Sequence, residues 1–225
     1  MSYDVQNERF APPAGTSIVR VRRLYDTEAD WDHLIVEARV PGQDDWTTLP
    51  SEHTTSSTGE SCPAGWRELH PHLDHYQTVI DATSCEPSGS TGTWNAASGN
   101  SGGWQQWNVD LSLYQTEGQV EVSIGYVSDW ATQGLGVFVD DIVVSSGGGT
   151  TSFENGDTGG WEVTGPPEGS APNPNNFIIT TAAGFPEAAV VATPRSLLSG
   201  FGFEGITDAG TRADWMGRAL DHLLD

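Results

Sequence analysis

The sequence contains no lysine. Its nine basic residues are all arginine, set against 31 Asp and Glu, for a formal net charge of −22. So little positive charge excludes nucleic acid and anionic membrane surfaces as partners, because both repel a chain this acidic. Long hydrophobic runs are also missing: none approaches the roughly 18 residues of a membrane-spanning helix. Cysteine is limited to Cys62 and Cys85, whose spacing fits neither a zinc-ligand pattern nor a C-x-x-C redox motif. Charged residues of all kinds make up only 18%. Aromatic residues, Val and Ile are well represented, so this is not a disordered acidic tail. The acidity reads as solvated surface, suited to solubility in high salt or with divalent cations.

What is present is 27 Gly, 13 Pro and nine Trp in 225 residues, a length that suits one or two domains. A disulfide between Cys62 and Cys85 would close a 24-residue loop. On the chain-entropy model it would stabilise the fold by about 3.4 kcal/mol; the alternative is two reduced thiols. The paired cysteines, the Gly/Ser/Thr-rich loops and the missing lysine favour an oxidising, extracellular setting. The opening MSYDVQNERF has no apolar signal-peptide core. The expectation is therefore a chain that is not secreted on its own or a piece of a longer secreted one.

The pattern along the chain is that of short strands between turn clusters. SIVRVRRLY (17–25) alternates, with arginines interleaved. DHLIVEARV (32–40) alternates more cleanly, with Leu34, Val36, Ala38 and Val40 on one face and Ile35, Glu37 and Arg39 on the other. The short acidic link between them predicts an antiparallel hairpin. QVEVSIGYV (119–127) puts Val120, Val122, Ile124 and Tyr126 on one face. GVFVDDIVV (136–144) is almost continuously apolar and predicts a central, doubly covered strand. Residues 41–110 are loop-rich and are expected to decorate one edge of a sandwich, pinned by the disulfide. SSGGGT (145–150) reads as a flexible linker. SFENGDTGGWEV then reads as strand–turn–strand. The one clear helical period lies at the end, capped by Thr207 or Asp208, with Trp215, Met216, Ala219, Leu220, Leu223 and Leu224 on one face. The fold class implied is mainly β, a jelly-roll-type antiparallel sandwich followed by a small tail that docks on it or completes another domain.

Four stretches stand in a telling order: YDTEADWDHLIVEA, DDWTTLP, GTWNAASGNSGGWQQWNVDLS and VEVSIGYVSDWATQGLGVFVDDI. Together they resemble the accessory β-sandwich (MAM-like) of secreted bacterial metallopeptidases of the immune inhibitor A type. The likeness extends to the C-terminal region of large actinobacterial zinc carboxypeptidases, whose end is similar to FENGDTGGWEVTGPPEGSAPN and GFGFEGITDAGTRADWMGRALDHLL. The resemblance covers roughly residues 10–225. It implies a sandwich over 1–145, a linker over 146–152 and a C-terminal strand–loop–helix segment over 153–225. The zinc of such enzymes is held by a His-x-x-Glu pair and a distant His. None of the six histidines here has Glu three residues on, and no H-E-x-x-H occurs. The resemblance therefore implies an accessory region with no catalytic residue of its own. Its expected partners are the protease domain of a longer parent chain and a protein or polysaccharide substrate, with zinc confined to that absent catalytic domain.

Several local constellations invite a site. Asp26, Glu28, Asp30, Asp32 and Glu37 mimic EF-hand spacing, but Trp31 occupies the position where the loop needs Gly, and the flanks are strands. A jelly-roll calcium site is the better reading: a structural Ca²⁺ held by Asp26, Glu28 and Asp32 with Asp140 and Asp141, which interrupt an apolar strand. The resemblance implies the same cation. The alternative is a solvated turn and hydrogen-bonded edge aspartates. His70, His72 and His75 in HPHLDHY, with Asp74, lie close enough to suggest zinc or nickel, although Pro71 forbids a regular helix and such a segment is more often an ordinary loop. Gly99, Ser101 and Gly103 match G-x-S-x-G, without the strand and helix that a nucleophile elbow requires. Exposed Trp104, Trp107 and Trp130 could stack on sugar rings, which gives the competing reading of a carbohydrate- or cell-surface-binding module.

Overall fold

The computed structural model describes residues 2–7, 18–62, 65–114, 120–129, 131–132, 134–171, 177–178, 190–193 and 196–199. The chain divides into two compact units, Met1–Ile179 and Thr180–Asp225. In the second, β11 (Val190–Thr193) and β12 (Ser196–Ser199) pair antiparallel, Val190 opposite Ser199. The helix expected over the last residues lies outside the described ones.

The first unit is mainly β, and all its strand pairs are antiparallel. One sheet has five strands in the order β10 (Trp161–Gly165), β1 (Ser2–Asn7), β8 (Glu121–Val127), β3 (His33–Arg39), β4 (Thr47–Thr48). The other has three, β7 (Gln105–Asp110), β2 (Ile18–Asp26) and β9 (Gly136–Val144). The alternation read in the sequence builds the layer between them: Val21 and Tyr25 of β2, Trp107 and Val109 of β7 and Ile142 and Val144 of β9 pack with Leu34, Val36, Ala38, Val122, Ile124 and Trp161. One charge lies among the buried residues of β2. Arg23 is fully buried with its guanidinium 4.1 Å from the Trp107 ring centre, no hydrogen-bond partner for its N–H groups, and a pKa lowered by desolvation to about 9.

The two cleanest strands are not a hairpin. β2 pairs with β7 and β9, whereas β3 pairs with β8 and β4, so the acidic link carries the chain from one sheet to the other. Bonds to distant segments hold this crossing. Thr27 N–H donates to Gly99 O, Asp30 N–H donates to Ser98 Oγ, and Asp30 O accepts from Glu60 and Ser61 N–H. Gly59 is obligatory beneath it: φ is +63°, and a Cβ there would stand 2.2 Å from Asp30 O.

The almost continuously apolar β9 is an edge strand, paired only with β2 among the described strands and half-exposed along much of its length. The doubly covered strand is β3, buried from His33 to Ala38. Its outer face is covered by the loop-rich region itself, which therefore spreads over a sheet face rather than decorating an edge. Trp46, Trp94 and Ala96, with Trp66 of the one-turn helix α1 (Trp66–Leu69), Leu73 of the following 3-10 turn (Pro71–His75) and Tyr76 just after it, form a second core with Ile35 and Val127. Periodicity could not reveal this cover, because loops carry no period.

Residues 145–150 are folded turns rather than a flexible linker. Gly147 N–H donates to Val144 O, Thr150 Oγ1 bonds the backbone of Val144, and Thr151 N–H donates to Ile142 O. The segment beyond belongs to the sandwich: β10 pairs with β1, and the Trp161 indole donates to Gly149 O. The first unit accordingly continues past residue 153 to Ile179. Cys62 and Cys85 form the disulfide, tying the segment before α1 to β6 (Ser84–Glu86), the partner of β5 (Thr78–Asp81).

Candidate functional site

The outer face of β3 carries His33, Ile35 and Glu37, beside Ser123 of β8. Glu37 is 1% exposed. A buried carboxylate needs partners, and two converge on it: Tyr76 donates its hydroxyl to Glu37 Oε2, and His72 Nε2 stands 3.0 Å from the same oxygen. Tyr76 Oη also lies 3.0 Å from His72 Nε2. Because Tyr76 spends its proton on Glu37, the remaining donor to the carboxylate is His72 Nε2–H.

The electrostatics follow from this arrangement. Burial pushes the Glu37 carboxyl up, but the charge of His72 and the bonds from His72 and Tyr76, with the Ser123 hydroxyl nearby, outweigh it and hold the group below its ordinary range. Burial pushes His72 down, and Glu37 outweighs that and raises it. His75 is lowered by burial and by its neighbour His72. On the same buried layer, His33 stands 3.2 Å from Ser61 Oγ with its ring edge-on to Trp66 and Trp94, and His70 bonds Ser128 O. Desolvation pushes both imidazoles down to about 4, so they are neutral structural groups at pH 7.

Above Glu37 opens a cavity of about 500 Å³ lined by Arg39, Asp44, Trp46, His72, His75 and Glu168, with Pro71, Thr164, Pro166 and Pro167. Arg39 lies with its guanidinium 4.6 Å from the Trp46 ring centre and pairs with Glu121 at 2.5 Å. His75 Nδ1 is 2.8 Å from Thr91 Oγ1, and its Nε2 is 3.4 Å from Asp44 Oδ1. The prolines arrive on the strand end after β10, anchored where Ala171 N–H donates to Leu69 O.

The residues expected to form a site are distributed otherwise. Asp26 accepts from Asn100 Nδ2 at 2.8 Å. Asp32 is fully buried and accepts from Tyr126 Oη and from Glu28 N–H. Within the β2–β9 ladder Asp26 stands opposite Gly136 and Asp140 opposite Arg22, four positions away, or about 13 Å along a strand. The two aspartates do not interrupt a core strand. They mark a bulge opposite Val21, where Asp141 takes a left-handed φ of 46° and donates its N–H to Asp140 Oδ1. Among the described residues no group of three or more His, Cys, Asp or Glu stands at metal-binding spacing.

His70 diverges from His72 and His75, and Asp74 pairs with Arg67. The Ser101 hydroxyl is consumed by the backbone of Tyr25 and Gly103. Trp104 is 44% exposed, while Trp107 is fully buried between Arg23 and His53 and is no platform for a ligand. Trp130 lies outside the described residues. In the sequence Glu37 stands out only as a polar position on the outer face of β3 and as the last position of the EF-hand-like spacing, neither of which signals a buried carboxylate. The one sequence signal for this site was the HPHLDHY spacing, which places His72 and His75 one 3-10 turn apart.

No protein-family model matches this sequence, and no curated protein matches it.

Proposed function

We propose that this chain is the non-catalytic β-sandwich region, of jelly-roll or MAM-like type, of a secreted zinc metallopeptidase of the carboxypeptidase or immune inhibitor A kind. It would support the protease domain or hold its substrate. The observation that carries the reading is where the resembling stretches fall. DHLIVEA, WNVDL, VEVSIGYV and GVFVDDI become β3, β7, β8 and β9, the frame of both sheets. The Cys62–Cys85 disulfide supports an extracellular setting. A structural Ca²⁺ belongs to the same reading, and its support is confined to the acidic 26–32 turn.

Two measurements test this. The purified chain is expected to leave peptide substrates uncut with or without zinc, and zinc-dependent hydrolysis would overturn the accessory role. Melting in calcium and in EDTA should give different midpoints; identical midpoints would remove the cation.

A further inference from the structure

The positive charges that line the cavity already have partners. Arg39 gives its Nε–H to Glu121 and Nη1–H to Gln43 O, with its guanidinium beside the Trp46 ring. His72 is held by the buried Glu37 carboxylate. Burial and the charge of His72 lower His75, which is neutral at pH 7. Two carboxylates of the same lining have no such counterpart. Among the described residues no arginine pairs with Asp44 or Glu168, and the group nearest Asp44 is the neutral His75. Donors are scarce too. Thr91 Oγ1 donates its proton to Trp46 O at 2.7 Å, so it accepts from His75 Nδ1 at 2.8 Å. That leaves a bare lone pair on His75 Nε2. It faces Asp44 Oδ1 at 3.4 Å, one acceptor against another. Pro71, Pro166 and Pro167 have no N–H to offer.

A cavity that presents acceptors and unpaired negative charge calls for an occupant that brings donors and positive charge. Its volume of about 500 Å³ falls within the roughly 300–1,000 Å³ of small-ligand pockets. The fixed φ of the three prolines keeps its walls rigid, so an occupant orders little on entry. We propose that this cavity binds the basic side chain of a peptide, arginine before lysine. The cationic head donates to Asp44, to His75 Nε2 and to Glu168, and the methylene stem lies along Trp46 and the prolines. Arginine is preferred because its planar fork carries five donors and reaches several acceptors at once, whereas an ammonium carries three. The net charge of −22 draws such a peptide toward the chain from a distance. A neutral side chain of the same shape would gain nothing from the two carboxylates. The proposal rests on the cavity and not on the accessory reading.

The test titrates the full chain with a blocked peptide that carries one arginine among alanines, followed by calorimetry and by backbone amide NMR. The control is the same peptide with citrulline, which keeps the shape and loses the charge. The arginine peptide is expected to bind and to shift the amides of Asp44, Trp46, His75 and Glu168. The citrulline peptide should bind at least about 10-fold more weakly, as expected for lost charge-assisted hydrogen bonds. Asp44→Asn and Glu168→Gln should each weaken the arginine peptide by up to about 5-fold, the range of exposed ion pairs, and the double variant by more than either. Both side chains are exposed, so these variants keep the fold. No binding of the arginine peptide, equal binding of the citrulline peptide, or unchanged affinity in the double variant would overturn the proposal. Binding of agmatine, a free small cation, without binding of the peptide would overturn the peptide as occupant. Peptide binding without hydrolysis would support this site and leave the accessory reading intact. Zinc-dependent hydrolysis would remove the accessory role and leave this site standing.

Discussion

The two faces of β3 are buried to the same degree by opposite chemistry. Toward the three-stranded sheet, β3 presents Leu34, Val36 and Ala38 to a layer of aliphatic side chains and aromatic rings. Away from it, the same strand presents His33, Ile35 and Glu37 to a cover of Trp46, Trp66, Tyr76 and Trp94. The inner face is held by area removed from water, which tolerates approximate shapes. The outer face is held by hydrogen bonds among groups that water can no longer reach, where each lost partner leaves another stranded. The titratable cavity stands over that outer face, so the part of the fold with the least tolerance is also the part with chemistry to offer.

The comparison is broken most directly at Glu37. Glu37→Ala strips the partner from His72 and Tyr76 and is expected to cost about 3–5 kcal/mol in urea unfolding at neutral pH. Leu34→Ala, on the inner face, should cost about 3 kcal/mol through its cavity alone. The distinguishing result is coupling: adding His72→Ala to Glu37→Ala should cost much less than the two single changes summed, whereas a purely additive outcome would mean the outer network is not a unit.

Acid should act on the outer face first. His33 and His70 are neutral in the fold with values near 4, against about 6.5 when unfolded. Between those values the unfolded chain binds protons that the folded chain refuses. Stability is therefore present above about pH 6.5 and falls toward pH 4, with each histidine contributing on the order of 2–3 kcal/mol to the loss. The Glu37–His72 pair follows different signs. The raised His72 stabilises fully below its unfolded value, and that contribution is lost as pH rises through its folded one. The lowered Glu37 stabilises above its unfolded value, and that contribution is lost as pH falls through its folded one. His33→Gln should roughly halve the stability slope between pH 6.5 and 4 in urea unfolding; an unchanged slope would show that the acid response lies elsewhere.

Smaller effects sharpen the contrast. Arg23 is a buried charge without a hydrogen-bond partner, and Arg23→Met is expected to raise stability by about 1–3 kcal/mol, read as a higher urea midpoint. A lower midpoint would mean that stacking on Trp107 outweighs the desolvation. Smallest is Asp44→Asn, which should change stability by no more than about 0.5 kcal/mol in urea unfolding, because its side chain is 86% exposed and stands 3.4 Å from His75 Nε2.

Much of the frame was legible from alternation. The strands at 18–26, 33–39 and 121–127 fall where periodicity predicts them, because alternation records which side chains face the inner core. The disulfide was legible as a pairing of the two cysteines present. The pairing of strands was not. β2 and β3 look like a hairpin until the bonds from Ser98, Gly99, Glu60 and Ser61 to the intervening turn are seen, and those donors and acceptors lie tens of residues away. β9 looks central because its apolar run ignores the bulge at Asp140 and Asp141. The cavity was the least legible part, since it joins Arg39, His72 and Glu168 from distant segments.

By itself the sequence determined a lysine-free, acidic, mainly β chain with two cysteines able to pair and two short histidine spacings. Those properties follow from composition and local period. Only the tertiary structure decided that a loop-rich stretch becomes the lid of a sheet and that Glu37 is buried instead of solvated. It also decided that His72 and His75, bonded to Glu37 and Thr91, line one cavity. Burial and hydrogen-bond direction arise between segments, and no local pattern encodes them.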